Sequence, residues 1–223
     1  MVFPLLKQRT LLQEVCEMQY IINDVGVDAS CFEQFGIKVL EVNEMTQAIK
    51  QWQGWSQLSV DTTRIFLPGN GALDVERALE RRWLDKWSVS RIAASRFWWL
   101  SENPVSVVEM AERGFDFQTK DVVIVDDVIS SGSTIQKVRE RHEPCMPRSR
   151  WHALTWVSQR NARLKGFFSV YAAVTVGTTN NKDPINSLST LLTTEDVAKS
   201  YAQRNFSAVD GAQFLEVIRK LRQ

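Results

Sequence analysis

Val122-Val123-Ile124-Val125-Asp126-Asp127-Val128-Ile129-Ser130-Ser131-Gly132-Ser133-Thr134-Ile135 is the stretch on which the reading of the chain turns. Its first four residues form an unbroken β-branched run rather than an alternating one. That is the pattern of a strand covered on both faces within a parallel sheet. Such strands meet their ligands at the carboxyl end, in the crevice of an open α/β sheet. Asp126 and Asp127 stand at that end, where a ligand hydroxyl or a metal reaches both carboxylates. Ser130, Ser131, Gly132, Ser133 and Thr134 follow with small side chains, hydroxyls and consecutive backbone N–H groups. A loop of this kind, opening a helix over residues 135–140, aims unpaired N–H groups and the positive end of the helix dipole at an anion such as phosphate. Gly132 allows close backbone approach or positive φ. A plain turn after a buried strand, followed by a Ser/Thr helix cap, is the structural alternative.

The segment resembles the phosphoribosyl-pyrophosphate (PRPP) signature of type I phosphoribosyltransferases. Four apolar residues, two acids, two apolar residues and a Ser/Thr/Gly loop occur in order, and each position from 122 to 134 fits. The resemblance implies that Asp126 and Asp127 hold the ribose 2′- and 3′-hydroxyls, and that Ser130, Ser131, Gly132, Ser133 and Thr134 wrap the 5′-phosphate. It also implies Mg2+, bound mainly through PRPP oxygens and waters, with no protein ligand to the metal directly assigned.

Two other places bear on this resemblance. Arg64-Ile65-Phe66-Leu67-Pro68-Gly69-Asn70-Gly71-Ala72 reads as a short buried strand ending in a Gly-flanked turn, with a helical pattern over residues 73–87 behind it. It resembles the family's pyrophosphate loop, which implies that Pro68, Gly69, Asn70 and Gly71 bind the leaving pyrophosphate through backbone N–H groups. Asn70 departs from the family's commoner forms, and a Pro-Gly-Asn-Gly surface turn is the alternative. Residues 88–94 suggest a further core strand, and Arg96 follows it. The family often carries an Arg-Lys pair here, before a mobile lid. This chain has Arg96-Phe97, and the segment 98–104 makes a short lid before an apolar pattern over 105–113. Arg96 is expected to meet the pyrophosphate or the surroundings of the partner base, with a surface arginine as the alternative.

The 223 residues, 44% hydrophobic and 24% charged, suit one soluble domain with an appendage. With 27 basic and 26 acidic residues there is no global pull toward nucleic acid or anionic membrane. No apolar run approaches the roughly 18 to 20 residues that span a bilayer, and the first residues lack a charged segment before their apolar stretch. A cytoplasmic location without a membrane partner is expected. Cys16, Cys31 and Cys145 are scattered and odd in number, so they read as free thiols. His142 and His152 read as structural or exposed rather than catalytic.

Along the chain, Leu11, Leu12, Val15, Met18, Ile21 and Ile22 make a helical stripe ending near Gly26. Ile37, Val39 and Val42 hint at a strand; Met45, Ile49 and Trp52 hint at a helix. By resemblance, residues 1–60 form an N-terminal helix and a variable hood over the base, where Trp52 or Trp55 stacks on the base or packs the hood. Strands over 64–67, 89–94, 122–125, 153–157 and 170–176 alternate with helices over 73–87, 105–113 and 135–141. The fold class expected is therefore α/β, with a central mainly parallel sheet flanked by helices over residues 61–177. Residues 178–223 form a C-terminal helical extension on the same domain. Its helices are expected over 194–201 and 211–221, the last docking on the sheet or on another subunit.

The expected function is transfer of 5-phosphoribosyl from PRPP to a small nitrogenous base with release of pyrophosphate, by a possible homodimer. Asp126, Asp127 and Arg96 are the expected catalytic residues. A second class is a regulator of the same fold that senses PRPP or a nucleotide and binds nucleic acid or protein. A third takes the acid pair as a phosphate-accepting receiver or haloacid-type phosphatase, in which the essential acid ends a strand near the N-terminus.

Overall fold

A computed structural model describes residues 19–92, 116–160, 162, 164–177 and 185–222. The chain divides into two compact units, one of residues 41–178 and one of residues 1–40 with 179–223.

Among the described residues the larger unit holds five strands: β3 (Thr63–Pro68), β4 (Ser88–Ile92), β5 (Asp121–Ile129), β6 (Arg150–Gln159) and β7 (Ser169–Val176). Their order is β4-β3-β5-β6-β7, and every neighbouring pair is parallel. Its helices among the described residues are α1 (Val42–Lys50), α2 (Gly69–Leu79), the short α3 (Arg81–Leu84) and α4 (Ser133–His142). The apolar run of β5 has the expected cause, because residues 122 to 125 are all buried. On one face Val122 and Ile124 join Phe66, Trp151 and Ala153 under Ile135 and Val138 of α4. The other face carries α1 and α2, and there the indole N–H of Trp156 donates to Thr46 Oγ1 of α1 at 3.1 Å. Burying both faces of a strand in this way requires side chains without polar atoms.

Two sequence expectations in this unit need correction. The helix read over residues 73–87 starts at Gly69 and stops at Leu79. Glu80 then takes φ 68°, and α3 follows as a separate turn. Trp52 lies just beyond α1, its N–H donating to the Ile49 carbonyl. Arg96, the lid segment 98–104 and the helix expected over 105–113 lie outside the described residues.

In the smaller unit, β1 (Gln19–Asn23), β2 (Ile37–Glu41, its last residue counted with the larger unit) and β8 (Asn186–Ser187) form a sheet of order β2-β1-β8, with β1 and β8 parallel. Ile21 and Ile22, read as the end of a helical stripe, are buried strand residues paired with Asn186 and Ser187. A pair of adjacent β-branched residues suits a strand buried on both faces, and here that pairing overrides the helical spacing. Leu11, Leu12, Val15 and Met18 lie outside the described residues. Three helices follow: α5 (Leu188–Thr193), α6 (Glu195–Asn205) and α7 (Ala208–Leu221). Phe214 and Ile218 of α7 are buried with Phe32, Ile37, Leu188 and Tyr201 in the unit's own core. Ser207 caps α7, its Oγ accepting from the Asp210 N–H.

Candidate functional site

β5 outruns its neighbour. Its pairing with β3 ends at Phe66 and Ile124, whereas its pairing with β6 continues through Asp126 with Thr155, Val128 with Val157 and Ile129 with Ser158. Asp126 and Asp127 therefore sit on a strand still anchored along one edge, just past the point where the other neighbour turns away. The Thr155 hydroxyl donates to the Asp127 carbonyl at 2.8 Å. Thr155 is fully buried, the lone hydroxyl in the run 153–157, and sequence reasoning missed it. Its one detectable signal was a polar residue inside an otherwise apolar strand.

Asp126 is buried and Asp127 half-buried. One Asp126 carboxylate oxygen accepts from the Asp127 N–H at 3.0 Å, and Asp127 Oδ1 accepts from the Val128 N–H at 2.7 Å. Burial, reinforced by the adjacent Asp127 charge, pushes the Asp126 carboxyl well above the usual carboxylate range. Two acids held this close, one of them dry, are stabilised by donated hydroxyls or by a cation.

β3 ends where α2 begins. Pro68 is in the extended region, and Gly69 at φ 71° turns the chain directly into the helix with no intervening loop. Only glycine adopts that φ without strain. Gly71 answers a different demand, since a Cβ there would collide with the Asp127 carboxylate. The turn at 68–71 and the acid pair, far apart in sequence, are in direct contact.

The Ser/Gly loop leaves the same strand. Ser130, Ser131 and Ser133 are exposed, and Gly132 takes φ 83°, ψ 3° as the residue before α4. No side chain caps α4 at Gly132. The Ser133 N–H meets Ser131 Oγ at 3.3 Å, while the helix geometry leaves the remaining first-turn N–H groups without intrahelical acceptors. Asp126, Asp127, Ser130, Ser131, Gly132, Ser133, Thr134, Pro68, Gly69, Asn70 and Gly71 are thus carried on the carboxyl ends of two adjacent strands and on the turns that follow them.

Trp52 and Trp55 do not belong to this rim. Trp52 packs edge-on against Trp55 at 5.2 Å and His152 at 5.7 Å, and Trp55 packs against Trp83 and Trp87. His152 is the third residue of β6, toward the amino ends of the strands. A polar chain unmarked in the sequence runs there. Arg150 donates twice to buried Asp121 at 2.8 and 2.9 Å, His152 Nε2 lies 3.0 Å from Asp121, and His152 Nδ1 lies 2.8 Å from Ser169 Oγ. Burial alone pushes the Asp121 carboxyl up, but hydrogen bonds from Arg150 and His152 outweigh it and hold the group below its usual range. His142, also buried, has no hydrogen-bond partner on either ring nitrogen among the described residues.

Fold and site together define an α/β protein with a parallel sheet whose carboxyl rim gathers an acid pair, a glycine turn and an open helix start. No protein-family model matches the chain, and no curated protein does. Among solved structures it is similar to a hypothetical protein from Neisseria gonorrhoeae with bound ppGpp, at 14% identity and TM-score 0.46, over 80% of this chain and 93% of that one. It is similar also to the xanthine-guanine-hypoxanthine phosphoribosyltransferase of Helicobacter pylori, at 13% identity and TM-score 0.40, over 71% and 92% of the two chains. The hypoxanthine phosphoribosyltransferase of Trypanosoma cruzi, in complex with the product IMP, matches at 14% identity and TM-score 0.39, over 62% of this chain and 75% of that one.

Proposed function

We propose that the chain is a magnesium-dependent phosphoribosyltransferase that moves 5-phosphoribosyl from PRPP to a ring nitrogen of a small base and releases pyrophosphate. One observation carries the reading: the turn at 68–71 lies against Asp127. N–H donors suited to a diphosphate and an acid pair suited to ribose hydroxyls thus adjoin, as the C1′ pyrophosphate and the neighbouring 2′- and 3′-hydroxyls of one PRPP molecule require.

In this reading Asp126 and Asp127 accept the ribose hydroxyls and hold the ring. The exposed loop from Ser130 to Thr134 takes the 5′-phosphate, with the α4 dipole favouring its charge. The C1′–oxygen bond breaks as pyrophosphate departs toward the N–H groups of Gly69, Asn70 and Gly71, and Arg96, outside the described residues, is the cation proposed to share its charge. The acceptor nitrogen's lone pair forms the new C1′–N bond, and its proton passes to solvent. Asp126 and Asp127 are the residues beside which magnesium would enter with PRPP, and when bound it would supply charge neutralisation for the leaving pyrophosphate. The pair's mutual repulsion and burial fit it for that company. Fixed donors aimed at developing charge account for most of the expected rate.

Calorimetric titration of PRPP with magnesium tests the binding step. Asp126→Asn with Asp127→Asn should abolish the heat, and unchanged affinity would remove the assignment. Pyrophosphate release against a panel of purines, pyrimidines and other ring amines tests the chemistry. Tight PRPP binding without release on any of them would replace the transferase with the sensing regulator.

A further inference from the structure

The amino-terminal rim of the same sheet carries an exposed feature that the transferase reading does not use. Phe117, just before β5, is 59% exposed, and Phe168, just before β7, is 62% exposed. Each has a guanidinium over its ring: Arg148 at 5.9 Å from the Phe117 centroid and Arg150 at 5.2 Å from that of Phe168. Arg148 and Arg150 are alternate residues where β6 begins, and β6 lies between β5 and β7. The rim therefore presents two Phe/Arg pairs, one on each side of the β6 start, spread over roughly 10 Å at the usual strand spacing.

The two acids beside them are turned to other partners. Asp116 is turned inward to Arg64 at 2.7 Å and to the Thr119 hydroxyl at 2.6 Å, and Asp121 is engaged by Arg150 and His152. Both acids are thus already engaged, Asp116 by Arg64 and Asp121 by Arg150 with His152. Lys120 and Arg148 are exposed. Arg150 is fixed by its two bonds to Asp121, so its plane is set before any partner arrives. Solvent-facing rings capped by guanidinium groups, with cations alongside, match alternating flat bases and phosphates. A strand of acidic side chains offers no flat face for the rings.

We propose that this rim is a binding surface for single-stranded nucleic acid, with bases stacking on Phe117 and Phe168 and phosphates meeting Arg148 and Lys120. Stacking of this kind is tolerant of sequence and sensitive to salt. With about two phosphates neutralised, log Kd should vary with log salt at a slope of about 1.4.

Fluorescence anisotropy of the full chain with a labelled oligouridylate, in low and moderate salt, tests this. Phe117→Ala with Phe168→Ala should weaken binding about tenfold or more. Replacing both by tryptophan should restore it, and Arg148→Ala should lower the salt slope by about 0.7. These side chains are exposed, so the variants should melt with the wild-type protein. Asp126→Asn with Asp127→Asn should leave this binding intact, which separates the two rims. Absence of binding at low salt overturns the proposal. So do affinity indifferent to the phenylalanines and equal displacement by polyglutamate, which would assign the surface to an acidic protein.

Discussion

The carboxylate of Asp127 fills the space that a β-carbon on Gly71 would need. The turn at the end of β3 and the acid pair of β5 are consequently one packed unit. Gly71→Ala should push Asp127 aside and weaken PRPP at least tenfold, as read by calorimetry. A variant that binds as tightly as the wild type would show that the contact does not govern the acid.

Asp126 makes a claim about pH. Its folded-state pKa lies well above the ordinary value of 3.8 because of burial and the Asp127 charge. The folded chain thus holds that proton to higher pH than the unfolded chain does. Stability from this group is full below 3.8 and falls as pH rises through the folded value. Asp126→Asn should raise Tm at neutral pH and lose its advantage in acid, each kcal/mol appearing as about 2–4 °C. A lower Tm at pH 7.5 would contradict the electrostatic account.

His142 works in the opposite sense. Burial, aided by the charge of Arg141, lowers its pKa from 6.5 to about 4. The unfolded chain takes up this proton as pH falls below 6.5 and the folded chain resists until about 4. Across that window the wild type should lose stability on the order of 3 kcal/mol. His142→Leu should flatten the loss in urea titrations at pH 7 and 4.5. An equally steep loss in the variant would assign the acid sensitivity elsewhere.

Asp121→Ala should be costly, because it strands Arg150 and buried His152 together. A loss of about 3 kcal/mol is expected in denaturant unfolding. Since the Asp121 pKa is held below its ordinary value of 3.8, its contribution should be present above that pH and vanish as pH falls through the folded value. The protein that remains folded should keep its PRPP affinity, because the acid pair lies at the other rim.

The residues 122–125 could be read as a doubly covered strand because both of their faces are in fact buried, so composition mirrors environment. The acids after them hid the strand's true end. Asp is poorly suited to strands, and only pairing with β6 carries β5 on to Ile129. In the same way Gly69-Asn70-Gly71 reads as a breaker, although it is the first turn of α2. The contact between Gly71 and Asp127 left no local trace, since its two halves belong to different strand-turn units. Ile21 and Ile22 fitted a helical stripe by spacing alone, and the strand they join is completed by Asn186 and Ser187 from the far end of the chain.

The hold of β6 on the far end of β5 means that the acid pair is stiffened during folding rather than during capture of a ligand. Little ordering entropy is left for binding to oppose at these two residues. Damage to the last pairs of that ladder, at Val157 or Ser158, should then surface first as a faster ligand off-rate.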